Sequence, residues 1–285
     1  MNTITDGFYY QSAYAGVILG AIILPYGSLL IDSPLRPEEA RSWKANILTK
    51  SRGSHRLLVN LDSHIDRTLG NRYIDMTIIA HKNAADRMEK RTNIFKGQSV
   101  NTGSEWEKYP ETLGIRWACP TITFDHHLQL HWGDVEICID HQPGPSDGSV
   151  WVEIPSEKVL FIGDTVVDNQ PPFLADADIP MWENSLSQLR KRKYRDYTII
   201  SGRSGVVTMD MITKQQAIFK SIVGRMETLA RKKLEPESTS KMIPSLLSRW
   251  KIPQKYKSYY TQRLKHGLQH YFIKHYTPEE LNLEE

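Results

Sequence analysis

The chain has 285 residues, 40% of them hydrophobic and 24% charged, an ordinary globular composition with length enough for a substantial core. The net charge is only +3, so charge alone gives no reason to expect nucleic acid as a partner. Cys119 and Cys138 are the only cysteines; two thiols exclude a disulfide framework and a four-thiolate zinc site, and they fit a reducing compartment.

In chain order, residues 14–25 (YAGVILGAIILP) form an apolar run too short to span a bilayer. Only Asp6 precedes it as a charge, which does not fit a signal peptide. With Gly16 and Gly20 inside the run and PYG after it, the pattern predicts paired strands, GVILGAIIL and SLLIDS, in a cytoplasmic protein without membrane contact. RPEEARSWKANILTK predicts a helix: Pro37 suits its first turn, Glu38 and Glu39 its positive end and Lys50 its negative end. RLLVNL is an apolar strand running into a turn over residues 62–71, DMTIIAH a further strand, and NAADRMEKRTNIF a helix.

The middle alternates apolar and polar residues in TITFDHHLQLHW, DVEICIDH and SVWVEI, the period of half-buried strands. KVLFIGD reads as a buried strand, MWENSLSQLRKRKY as an amphipathic helix, YTIISG as a strand and KQQAIFKSIVGRMETLARKKL as a long helix. Strands alternate with helices in both halves, so the fold class is α/β. EPESTSKMIP looks like a polar linker, followed by basic, aromatic, helical segments that pack back on the domain or form a lid or a homodimer contact.

Aspartates follow the predicted strands: Asp62 and Asp66 flank His64, and Asp164 ends KVLFIGD, while Arg203 follows YTIISG. In α/β folds such strand ends gather functional groups. The order of motifs resembles the metallo-β-lactamase superfamily over roughly residues 7–230. LLVNLDSHIDRTLGN is similar to its strand and His-x-His-x-Asp-His turn, PGPSDGSVWVEIPSEKVLFIGDTVV to its Gly-His-Thr segment and Gly-Asp strand, and TIISGRSG to its late Pro-Gly-His-Gly loop. The resemblance implies a four-layer αββα sandwich at residues 1–234, with a basic and aromatic helical extension at 235–285 packed on it. It also implies a hydrolase with two metal ions, mostly zinc.

Carried over by position, the ligand set is depleted. The first two histidines become Asp62 and His64, the motif aspartate is Asp66, and the histidine beside it is Arg67. Pro145 replaces the Gly-His-Thr histidine, Asp164 keeps the bridging aspartate and Arg203 replaces the last histidine. Asp62, His64 and Asp164 would make one weak site for zinc, manganese or iron, or no site at all. The other metal would be replaced by Arg67 and Arg203 in salt bridges with Asp66 and Asp164. Hydrolysis of an ester, lactone or thioester would then use Asp62 or Asp66 as base and Arg67 or Arg203 as oxyanion stabiliser.

The alternatives are a non-catalytic binding or regulatory protein and, more weakly, a nucleic-acid binder using the basic tail. His127 and His131 share a strand face best explained as solvated, and RKRKYR is best explained as a solvated helix end. His141 is a rescue ligand only if it swings toward the site. The expected partner is a small-molecule substrate or ligand.

Overall fold

A computed structural model describes residues 1–51, 53–97 and 101–277. Two hairpins open the chain: β1 (Asn2–Thr5) with β2 (Phe8–Gln11), and β3 (Leu19–Leu24) with β4 (Gly27–Ile31). After α1 (Pro37–Lys50), β5 (His55–Val59) and β6 (Thr77–His81) enclose two short helices, α2 (Ile65–Thr68) and α3 (Asn71–Ile74). Then come α4 (Lys82–Glu89) and five strands: β7 (Ile122–Phe124), β8 (His127–Trp132), β9 (Val135–His141), β10 (Val150–Ile154) and β11 (Val159–Phe161). The chain continues through α5 (Ile179–Leu189), β12 (Thr198–Ser201), β13 (Gly205–Val206) and α6 (Met209–Arg231), to α7 (Ile243–Leu247) and α8 (Gln254–Tyr276).

Among the described residues the strands form a seven-stranded sheet, β1 to β7 in sequential order, and a six-stranded sheet ordered β13-β12-β11-β10-β9-β8. Strand periodicity explains the layering, because successive side chains point to opposite faces. In β4, Leu29 and Ile31 face the second sheet while Leu30 faces α1; in β10, Val150, Val152 and Ile154 face the first sheet while Trp151 faces the helices. Between the sheets, Ile22, Val59, Ile79, Val159, Phe161 and Ile200 complete the core. Burying each such side chain stabilises by about 1.5–3 kcal/mol.

On the outer face of the first sheet, α1 buries Ala40, Trp43 and Ile47. On the outer face of the second sheet, α5 and α6 bury Trp182, Leu186, Ile218, Phe219 and Ile222. The α/β class therefore takes the form of a four-layer αββα sandwich. No described helix is long and apolar enough to cross a membrane.

The segment beyond Glu235 differs from its reading as a polar linker. Pro236–Met242 is a 3₁₀ helix with Thr239 and Met242 buried. Leu264, Leu268, Tyr271 and Phe272 of α8 enter the same apolar cluster as α5 and α6. The last eight residues of the expected extension, 278–285, lie outside the described residues. Two helices are shorter than their sequence patterns suggest, and one expected turn is helical. α4 stops at Glu89, α5 stops at Leu189 before a 3₁₀ turn at Arg192–Tyr194, and the turn after β5 coils into α2 and α3.

Candidate functional site

Four strand ends meet at one edge of the sandwich. β4 pairs parallel with β5, and β11 parallel with β12. This alignment brings Asp32, Asp62, Asp164 and Arg203, each just beyond its strand, to one place. Asp32 directly follows β4, with the apolar run SLLI leading into it, but the sequence alone assigns it no role. Its φ of 60° is left-handed, unusual for a residue with a Cβ, and its side chain explains the cost: Oδ1 accepts from the Leu61 N–H at 2.9 Å.

The loop after β5 is pinned before it reaches the site. Asn60 and Asn71 exchange amide hydrogen bonds at 2.7 and 3.2 Å, and the Arg67 carbonyl accepts from the Ser33 N–H and hydroxyl. His64 caps α2, its Nδ1 accepting from the Asp66 N–H at 3.2 Å. α2 thereby directs Arg67 inward, where its side chain is fully buried. Glycine is needed beside it: a Cβ at Gly202 would stand 3.0 Å from Arg67 Nη1 and 3.2 Å from the Gly163 backbone.

Arg67 pairs with three carboxylates. Nη1 donates to Asp32 Oδ2 at 3.1 Å, Nε lies 3.2 Å from Asp62 Oδ1, and Nη2 donates to Asp164 Oδ1. Arg203 takes the other oxygen, its Nε donating to Asp164 Oδ2 at 2.8 Å. Its Nη1 donates to the Gly16 carbonyl at 2.8 Å and to Asp66 Oδ2 at 3.3 Å, and its Nη2 lies 3.2 Å from His64 Nδ1. Asp66 also accepts from the Glu105 and Trp106 N–H groups, both at 3.0 Å. Both guanidiniums thus stand among the acids. Asp66 pairs with Arg203, whereas Arg67 reaches Asp32 and Asp62 in its place.

Protonation follows from burial set against these charges. Burial would raise the Asp164 carboxyl, but Arg203 and Arg67 outweigh it and hold the group well below the usual range. Asp66 is lowered as well, its burial outweighed by His64, Arg203 and the two N–H donors. Burial pushes Asp32 up to about 7, with the Asp62 and Asp164 charges adding to it against the pull of Arg67. Burial also pushes His64 down to about 4, so it is neutral at physiological pH. Burial opposes the charge on Arg67 and Arg203, but the carboxylates prevail and raise both.

The donor set does not fit a metal centre. Both Asp164 oxygens are occupied by guanidiniums, and His64 Nδ1 faces Arg203. Among the described residues no group of three or more His, Cys, Asp or Glu is placed to hold a metal ion. The expected ligands Asp62, His64 and Asp164 all border one cavity, yet they do not form a cage for zinc, manganese or iron. The cavity has a volume of about 900 Å³, and Pro145, Phe173, Trp182, His266 and His270 also line it. Phe173 carries the Arg203 guanidinium 4.7 Å above its ring and touches the His64 ring.

The remaining histidines lie elsewhere. His127 and His131 are exposed, and His127 Nδ1 is 2.7 Å from Asp140. His141 stacks on His81 at 3.8 Å and its Nε2 lies 2.8 Å from the Asp147 carbonyl, off the cavity lining. In the RKRKYR run, Lys193 bonds Glu153 at 2.7 Å.

No protein-family model matches the sequence, and no curated protein matches it. Solved structures do match. A metallo-β-lactamase from Pontibacter korlensis is 15% identical with a TM-score of 0.59, over 77% of this chain and 97% of that one. The DIM-1 metallo-β-lactamase is 14% identical with a TM-score of 0.60, over 77% and 96%. The stereoselective inverting sec-alkylsulfatase Pisa1 from Pseudomonas sp. is 14% identical with a TM-score of 0.64. That match takes in 99% of this chain, which spans only 51% of the sulfatase. These likenesses show that the chain has the metallo-β-lactamase fold; at such identities they show the fold alone.

Proposed function

We propose that this chain is a hydrolase-type protein of the metallo-β-lactamase fold in which an ion-pair network stands where relatives hold two metals. Its cavity would take a small organic ligand of ester, lactone or thioester type. One observation carries this reading: Arg67 and Arg203 occupy both oxygens of Asp164, the carboxylate that would bridge the metal pair.

Chemistry must then come from groups that face the cavity. Asp62 lines it; its Oδ1 meets the His64 N–H and Arg67, and its Oδ2 has no hydrogen-bond partner among the described residues. Asp62 is therefore the base able to take a proton from an attacking water. Asp66 and Arg67 are fully buried, and they serve by holding Asp164 and the loop in place. A second reading, a non-catalytic binding or regulatory protein, is favoured by the state of the neighbours. Asp66 and Asp164 are ionised and paired, and His64 is neutral, so Asp62 has no positioned partner for proton transfer.

The test is elemental analysis of protein purified without chelator, followed by turnover of nitrophenyl esters, lactones and thioesters by the wild type and Asp62→Asn. A stoichiometric pair of transition metals would overturn the ion-pair reading. Metal-free turnover that Asp62→Asn abolishes supports the hydrolase; ligand-dependent stabilisation without turnover supports the second reading. Salt-dependent oligonucleotide binding would instead support the weaker nucleic-acid alternative.

A further inference from the structure

Cavity-side charges are nearly all matched within the protein. Asp62 and Asp164 are matched by Arg67, and Asp164 also by Arg203. Asp176 and Asp147 are matched by Arg87 at 2.7 and 2.9 Å. Arg263, buried behind Phe173 and not among the residues that line the cavity, forms no ion pair among the described residues: it donates to the Gly103 and Pro171 carbonyls and to Gln170, leaves Nη2 without an acceptor, and lies over the Phe173 ring.

On the cavity wall itself, Arg91 is the exception. It lines the cavity beside Ser63, whose carbonyl accepts from Arg91 Nη2. The guanidinium lies over the Trp117 ring, 4.5 Å from its centre. Among the described residues it forms no ion pair, and its Nη1 is buried without an acceptor. Burial pushes its pKa down to about 10, which the more distant Asp62 and Asp176 do not offset. A guanidinium withdrawn from water without a counter-ion is costly. The group that best completes it is a planar or tetrahedral oxyanion, accepting from the guanidinium fork.

We propose that the cavity binds an organic ligand carrying an oxyanion, a carboxylate, sulfate or phosphate, with Arg91 as the anchor for that group. The cavity supplies the rest of a fit. Ser104 and His270 add polar groups to the lining, while Ile65, Phe173 and Trp182 offer apolar surface for the ligand body. This inference rests on the reading that the cavity takes a small organic ligand, and it adds the ligand's charge. A neighbouring cleft of about 440 Å³ also borders Arg91 and carries Arg72 and Arg116, so the test must tell the two sides apart.

Calorimetric titration with phenylacetate, phenyl phosphate and phenyl sulfate, against neutral phenylacetamide, reads the proposal directly. At least one oxyanion probe should bind the wild type roughly tenfold or more tighter than the amide, the range of a charged hydrogen bond. Arg91→Gln should erase that preference and leave amide binding within about twofold, and Arg91→Lys, which keeps the charge, should retain part of it. Melting temperatures of both variants near that of the wild type would show that the fold is intact. Equal affinity for amide and anions, or a preference that survives Arg91→Gln, overturns the proposal. So does a preference lost equally in Arg116→Gln, which would place the anion in the neighbouring cleft. Failure of every probe, the amide included, would instead count against the small-ligand reading of the cavity.

Discussion

Arg67→Met removes a guanidinium while keeping most of its volume. In the wild type that group faces Asp32, Asp62 and Asp164 from a side chain with no exposure. After the change Asp32 keeps only the Leu61 N–H, Asp62 keeps the His64 N–H, and Asp164 keeps Arg203. Breaking a buried ion pair from one side costs about 3–5 kcal/mol, and three carboxylates share this one cation. At about 2 °C of melting temperature per kcal/mol for a chain of this length, the variant should melt about 6–10 °C lower near pH 7.5. The pH dependence sharpens the test. In the variant the uncompensated acids have raised pKa values, so they fold best protonated and the deficit should shrink toward about pH 5. Circular-dichroism melts of both proteins at the two pH values would measure this. A variant melting within about 2 °C of the wild type near neutrality, or a deficit that grows in acid, would refute the idea that Arg67 neutralises these carboxylates.

Other consequences are equally direct. His64 is held down to about 4; the unfolded chain takes up that proton first, so stability should decline as pH falls from about 6.5 toward 4. His64→Gln should flatten that decline in urea titrations, and an unchanged slope would show that His64 titrates normally. Leu268 of α8 is fully buried against the helices of the second sheet. Leu268→Ala should cost about 2–5 kcal/mol of unfolding free energy, whereas an extension acting as a detached lid would lose almost nothing.

The fold was legible because strand periodicity and strand ends are local. Leu29 to Ile31, Val150 to Ile154 and Val159 to Phe161 stand in the sequence as alternating or continuous apolar runs, each followed by a turn. Even the unassigned first hairpin carries a signal, the Asp-Gly turn between NTIT and FYYQ. The extension was harder. EPESTSKMIP is polar in composition, and composition cannot show that Thr239 and Met242 turn inward against the helices. Much of the candidate site could be read by position, since Asp62, His64, Asp66, Arg67, Asp164 and Arg203 all reach one place. Asp32, Arg91 and Phe173 could not. Their roles come from parallel pairing and from loops that only the folded chain brings together, and no spacing in the sequence joins them.

The electrostatics of the centre explain why the arrangement holds and what it gives up. Four aspartates, Asp32, Asp62, Asp66 and Asp164, are buried around two guanidiniums. Two divalent metals would balance four carboxylates; two arginines leave a shortfall. Part of it is met by directed donors, the backbone N–H groups of Leu61, His64, Glu105 and Trp106. The rest shows at Asp32, which burial, with the Asp62 and Asp164 charges added to it, pushes up to about 7 against the pull of Arg67. A guanidinium offers five donors in fixed directions, so it can satisfy carboxylate oxygens. It has no vacant coordination site on which to acidify a water, as a catalytic metal does. In the proposed reading the guanidiniums keep the acids buried but acidify no water, and any chemistry rests on what the cavity wall itself presents, Asp62 and Arg91.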